Sequence, residues 1–245
     1  MHPSPPSCID AVAAIRFGRG RCSPEKPLLM SRPILSRRRG LAWLAALPIL
    51  ACTPPGWAAA APGGADPAAV TAPIRALNAE LLRIMQAGKT VPFARRYAML
   101  APTVAAAFDL PLILRVSVGP GWAKLPADQQ TALLVAFRRY TVASYVDNFD
   151  SFDGEHFDLT PQPRPVPGGA QVVLTQIVSR SGTAHQIDYV MRQVDGAWKA
   201  VDVLADGSIS RVAVQRSDFR HLLDQGGAPA LMASLRRKVR DLSRG

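Results

Sequence analysis

Cysteine is scarce in this sequence: Cys8, Cys22 and Cys52 are all it has among 245 residues. A chain cut after its alanine-rich segment near Ala61 keeps none of them. That excludes a disulfide framework, a thiol nucleophile and a cysteine-ligated metal in the mature protein. Histidine is as thin. His2, His156, His185 and His221 are scattered, with no H-E-x-x-H or paired spacing, so neither a metal nor any other cofactor is expected. Ser208 and Ser210 lie in no G-x-S-x-G elbow, and no P-loop or dinucleotide-binding glycine pattern occurs. No internal repeat is visible.

What the chain does have is apolar content and a lopsided positive charge. Hydrophobic residues make up 48%, ample for a core and incompatible with wholesale disorder. The formal charge is +11. Residues 1–61 hold eight Lys/Arg against Asp10 and Glu25, a net of +6, which leaves +5 for residues 62–245. More than half of the excess therefore lies outside the expected folded domain, and the basicity is a poor argument for nucleic acid. Arg37-Arg38-Arg39 precedes a short apolar run, Gly40 to Ala51, and then Trp57 and four alanines, Ala58 to Ala61. A positive segment, a brief apolar segment and a small-residue cleavage site spell a secretory signal cut near Ala59–Ala61. The run falls short of the ~18 residues that span a bilayer, and it contains Pro48. A positive segment of nearly forty residues is long for this purpose, and starting at Met30 gives one of ordinary length. Met30 is thus the expected start. Cys52, after Ile49-Leu50-Ala51, leaves a lipid-anchored form as the alternative.

The expected organisation is residues 1–61 as extension and export signal, 62–66 as linker and 67–245 as one domain. From Pro67, Val70, Ile74, Leu77, Leu81 and Ile84 recur at three and four, an amphipathic helix ending near Gly88. Val91, Phe93, Tyr97, Leu100 and Val104 predict a second. Phe108 to Val118 is apolar almost throughout and reads as a short buried helix, with a strand as the other option. Pro126 opens the longest helix, about Ala127 to Phe149, with Leu133, Phe137, Tyr140, Ser144 and Tyr145 on one face. Strand patterns follow at Phe157 to Thr160, Gln171 to Ser179, Ala184 to Val194 and Trp198 to Leu204. Turn pairs Ser181-Gly182 and Asp195-Gly196 join them into an antiparallel meander. A last helix carries Leu231, Leu235, Val239 and Leu242 beyond a break at Gly226-Gly227. The fold class is α+β: a curved antiparallel sheet of about four strands against a layer of amphipathic helices.

The stretch Ala197 to Phe219 organises the rest. Val201 and Val203 alternate with Ala200 and Asp202 as in a half-buried strand, and Asp206-Gly207 turns the chain. Spacing then becomes helical through Ile209, Val212, Arg216 and Phe219. Ile187, Tyr189 and Met191 alternate on the neighbouring strand. Between that face and the aromatic helix lies the place for a ligand cavity, or else for a filled core; both readings stand on these residues.

Val118 to Tyr145 (VGPGWAKLPADQQTALLVAFRRYTVASY), Thr175 to Ser210 (TQIVSRSGTAHQIDYVMRQVDGAWKAVDVLADGSIS) and Arg216 to Phe219 (RSDF) resemble the MlaC, or toluene-tolerance, family of periplasmic lipid-binding proteins. The ordered set Gly119, Trp122, Tyr140, Tyr145, Tyr189, Trp198, Asp202 and Gly207 carries most of the resemblance, which spans roughly residues 66–242. The DGSIS turn and RSDF ending are most similar to its hopanoid-associated HpnM branch. Where phospholipid-binding relatives more often have an aromatic-Arg pair, this chain has Gln215-Arg216. The resemblance implies a periplasmic carrier that holds lipid tails between sheet and helices. It also implies a lipid cargo (phospholipid or hopanoid) exchanged with membrane-bound transport complexes of the inner and outer membrane, in the setting of an ABC transporter system. It places tail contacts along Phe108 to Leu114, at Phe108, Leu112 and Leu114 among them, and at Phe137, Tyr140, Tyr145, Ile187, Tyr189, Met191, Val201 and Val203. It requires no catalysis.

Two other classes compete. A small-molecule enzyme on a similar α+β cone would use Asp202 as base beside Tyr189 as oxyanion donor, the logic of ketosteroid isomerase. Alternation sets Asp188 and Tyr189 on opposite faces, and His185 near a strand start reads as a surface residue. Asp202 reads as a cap or an ion-pair partner at the sheet edge. The third class is a structural module of an envelope complex. Arg236-Arg237-Lys238-Val239-Arg240, the basic cluster of the mature domain, reads as a solvated helix face or as a contact for anionic head groups. Export and the lack of aromatic-interleaved basic motifs argue against nucleic acid.

Overall fold

The computed structural model describes residues 65–244. The export signal, the Met30 start, Cys52 and most of the linker lie outside them.

Helix α1 runs Pro67–Ala87, opened by Asp66, whose carboxylate accepts from the Ala68 N–H at 2.9 Å. Its predicted stripe of Val70, Ile74, Leu77, Leu81 and Ile84 is fully buried. Helix α2 (Phe93–Ala107) packs along it, and α3 (Leu110–Val118) follows, so the ambiguous apolar stretch is helical. Asp109 decides that locally: its side chain accepts from the Leu112 N–H at 3.0 Å, and Pro111 sits in the first turn. A 3-10 turn (Gly119–Lys124) leads to α4 (Ala127–Asn148). Buried Arg96 ties α2 to α4 by donating to the Val146 carbonyl at 3.2 Å.

The sheet departs from expectation in strand count. Seven strands replace about four: β1 (His156–Leu159), β2 (Arg164–Val166), β3 (Ala170–Val173), β4 (Thr175–Val178), β5 (Ala184–Val194), β6 (Ala197–Ala205) and β7 (Ile209–Ser210). All paired strands are antiparallel, and β5 is the shared spine: β4 pairs with its first half, β3 with its second, β6 along its other edge. The expected strand Gln171 to Ser179 is thus cut at Leu174. Opposite the cut, the Asp188 carboxylate accepts from the Thr175 N–H at 3.2 Å, and the Thr175 hydroxyl donates to the Ile187 carbonyl. Side chains stand in for a ladder bond there. On the outer side, Pro161 and Pro163 cannot donate ladder bonds, which separates β1 from β2. The three strands beyond the expected four are β2, inside the Pro161 to Gly169 separator, β7, past the Asp206-Gly207 turn, and the extra piece made by the cut at Leu174.

Asp195 (φ 49°) and Gly196 (φ 80°) make the two-residue hairpin between β5 and β6. Asp206-Gly207 turns β6 into β7, so Ile209, expected at a helix start, is a strand residue and half exposed. Helix α5 (Arg211–Leu242) then covers the sheet edge and packs on α4 and α3. Gly226 and Gly227 leave helical geometry inside it, as the expected break requires, so α4 is the longest uninterrupted helix among the described residues. Helices cover the face of the open sheet that carries Ile187, Tyr189 and Met191, all buried.

Candidate functional site

Between β5–β6 and helices α3 and α4 the packing opens into a cavity of about 120 Å³, with the first turn of α5 at its rim. Its sides are mainly apolar. Helix α3 contributes Leu110 and Ile113; α4 contributes Phe137, Tyr140 and Tyr145; the sheet contributes Ile187, Tyr189 and Val203. Phe108 anchors the floor. Its neighbour Asp109 donates an N–H to the Ala200 carbonyl at 2.9 Å, which fastens the α2–α3 junction to the sheet. The Phe108 ring lies 5.7 Å from that of Tyr145 and 6.1 Å from that of Tyr189, and Phe149 stacks on Tyr145 at 6.0 Å. These aromatics bury large area and hold one another in place.

The Tyr145 and Tyr189 hydroxyls are hydrogen-bonded to each other. Burial pushes both phenols well above their usual range, and pushes Tyr140 up to about 12. All three remain protonated at ordinary pH. At the rim, Arg211 is half-buried, and burial lowers its pKa against the pull of Tyr140, Tyr145, Asp218 and Asp202. Thr141, Ser144, Asn148, His185, Gln186 and Gln215 complete the polar edge.

Seven of the residues expected to meet a tail converge on this cavity: Phe108, Phe137, Tyr140, Tyr145, Ile187, Tyr189 and Val203. Leu112, Leu114, Met191 and Val201 do not line it. Leu114 and Met191 are fully buried in the surrounding core, and Leu112 is half-buried on another side of α3. Val201 is displaced by a bulge. Val190 pairs with Asp202 but Met191 pairs with Ala200, so Val201 is the extra residue on β6. The inward pair is therefore Ala200 and Val203 in place of Val201 and Val203.

Sequence reasoning missed Phe149, Thr141 and Asn148, and the α5 rim of Arg211, Val212 and Gln215. The first group continues the Phe137–Tyr145 stripe by helical spacing, so that signal was present. The rim had only the i, i+4 spacing of Arg211 and Gln215 after the turn.

Asp202 and Tyr189 both line the cavity, as the enzyme reading needs. Yet Asp202 is committed to the backbone. Its Oδ1 accepts from the Val203 and Val212 N–H groups at 2.8 and 3.0 Å, and its Oδ2 from the Ser210 hydroxyl at 2.5 Å. Ser210 in turn accepts from the Ala213 N–H at 3.0 Å. Asp202 is a cap of α5, as its place at the sheet edge led one to expect. Asp188 is buried on the opposite side of β5 and holds the β3–β4 break.

Among solved structures, the chain is similar to a phospholipid-binding protein from Ralstonia solanacearum determined in complex with a phospholipid. The two share 14% identity and a TM-score of 0.61, over 71% of this chain and 98% of the other. That likeness shows a common fold. No curated protein matches the chain. Residues 75–237, well over half of the sequence, match the family described as MlaC protein. The chain belongs to the MlaC protein family.

Proposed function

We propose that this protein is a periplasmic lipid carrier. It is exported by the signal before Ala61, takes lipid tails into the cavity between sheet and helices, and passes lipid between membrane-bound complexes of the inner and outer membrane. The observation that carries this reading is the apolar, aromatic-walled cavity with a polar rim. The fold's likeness to a protein that holds a phospholipid supports it. The cargo is a phospholipid or, by the DGSIS and RSDF segments, a hopanoid.

The energetics suit a carrier. Stripping an apolar chain into water costs about 0.8 kcal/mol per CH₂, on the order of 20 kcal/mol for a two-chain lipid. A closed apolar pocket removes most of that barrier while needing only rough parity with the bilayer. The cavity is close in size to an engineered one of about 150 Å³ that holds a benzene. As it stands it takes a ring-sized piece of hydrocarbon, so loading a whole lipid requires the helical layer to part from β5 and β6. The engagement of Asp202 by three donors of the α5 cap weighs against its use as a base and so supports a carrier over an enzyme.

Native mass spectrometry of protein purified from its own periplasm, followed by lipid extraction, tests the proposal. A co-purifying phospholipid or hopanoid on a chain beginning near Ala61 is the expected result. Lipid-free protein across repeated gentle preparations would sink the carrier and favour a structural module of the envelope.

A further inference from the structure

We propose that the end of the sheet where the cavity opens is a membrane-docking surface, with Phe152 and Ile209 dipping into the interface of a lipid bilayer on either side of the mouth. The carrier reading supplies the reason for such a contact. The surface goes beyond it, because lipid is then exchanged with the bilayer itself and not only through a protein complex.

Strand register places the two residues. β5 begins at Ala184, which pairs with Val178 on β4, and Val178 pairs with His156 at the start of β1. The loop that carries Phe152, between α4 and β1, therefore lies at the end of the sheet where β5 starts. On the other side, Ile187 pairs with Ala205 and Ala205 with Ile209, so Ile209 reaches the same end on the second strand beyond β5. The sheet's polar edge of the cavity is here too, at His185, Gln186 and Asp206. Phe149, three residues before Phe152, lines the cavity, and so does Arg211, two residues after Ile209. Each flank of the mouth thus runs out into one of the two side chains.

Both are open to water. Phe152 is 42% exposed and Ile209 50%, two of the four large apolar side chains left so among the described residues. A single exposed apolar side chain needs no explanation. A pair flanking the opening of an apolar cavity presents two oily tips to whatever meets that opening, and burying them in acyl chains removes them from water.

Charge at this end suits a lipid surface. Lys238 lies 5.7 Å from the Tyr140 ring of the cavity wall and faces Asp218, whereas a straight helix would hold Lys238 and Asp218 about 30 Å apart. Helix α5 thus doubles back at Gly226 and Gly227, and exposed Arg240, beyond Lys238, returns toward the rim from which the helix starts. Arg180, 80% exposed on the β4–β5 turn, stands beside the Phe152 loop, its guanidinium 4.0 Å from Asp153. Cations around apolar tips are what an anionic interface attracts. Asp153 and Asp206, exposed on the same two loops, stay in the head-group layer and limit the depth of insertion.

The mature protein is sedimented with vesicles of phosphatidylcholine and phosphatidylglycerol at low salt, and again at high salt, where screening weakens the arginine contribution. Wild type is expected to bind at both. F152S/I209S is expected to lose affinity at high salt by about tenfold, which corresponds to about 1.4 kcal/mol; either single variant serves if the double one does not fold. V135S is expected to lose none, since Val135 is 47% exposed on the side of α4 away from the cavity-lining Phe137, Tyr140 and Ser144. Unchanged binding of F152S/I209S overturns the docking surface and leaves the carrier reading standing, because co-purifying lipid decides that one separately. An equal loss in V135S reduces the effect to general hydrophobicity and overturns the proposal as well. So does wild type that binds vesicles only when a membrane protein complex is embedded in them.

Discussion

The Asp202 carboxylate joins three local structures: the bulged strand β6, the β7 residue Ser210 and the first turn of α5. Removing it orphans the Val212 N–H and frees the Ser210 hydroxyl. Asp202→Ala is expected to lower stability by about 1–2 kcal/mol, the usual loss for an N-terminal cap, measured by urea unfolding. No loss would mean that the cap is dispensable. At this scale the sequence was readable wherever one residue type answers one backbone demand. Asp206-Gly207, Asp195-Gly196 and Gly227 at the break in α5 all stand where positive φ is needed. It was not readable at Val201, because a bulge depends on how β5 and β6 come into register, and neither strand states that alone.

The second half of α5 shows how one element divides its labour. Leu231 and Leu235 are buried, while Arg236, Arg237 and Arg240 are exposed. Lys238 does not belong to that exposed set. It turns inward, its Nζ 5.7 Å from the centre of the Tyr140 ring, with its pKa lowered by burial. The five-residue basic run of the sequence is therefore two things, a solvent-facing stripe and an internal cation–π contact. Neutralising Arg236, Arg237 and Arg240 to Gln is expected to weaken binding to phosphatidylglycerol vesicles at low salt by about a hundredfold, with little change in the thermal midpoint, since clustered cations gain ~1 kcal/mol each near an anionic surface. Sedimentation with vesicles checks it, and unchanged binding would reduce the stripe to a solvated face. Strands were harder to delimit than helices. The apolar run Val172-Val173-Leu174 does not say where Gln171 to Ser179 is cut, and it is Asp188 on the partner strand that takes the Thr175 N–H there.

For the whole molecule, three buried phenols set an alkaline limit. Tyr140, Tyr145 and Tyr189 all hold their protons more tightly when folded than the usual pKa of 10 allows. Their contribution is complete below pH 10 and is lost as pH rises toward and past the folded values, because the unfolded chain releases these protons first. Lys238 acts in the opposite sense, being held below its usual 10.5, so raising the pH relieves a cost there. Three phenols outweigh one amine. Between pH 8 and pH 11 the urea midpoint should fall, with roughly 1 kcal/mol lost through Tyr140 alone, and Tyr140→Phe should blunt the fall. A flat midpoint over that range would contradict this picture of the cavity wall.

By itself the sequence determined the order of the helices and main strands, the stripe each helix buries and the turns. Those follow from periodicity and backbone preference, which act over a few neighbouring residues. Tertiary structure decided that the space between sheet and helices is hollow, that β6 turns Ala200 and Val203 inward past a bulged Val201, and that Arg211 stands at the rim. These depend on the register and separation of elements far apart in the chain, where packing between layers, and not any local pattern, chooses the arrangement.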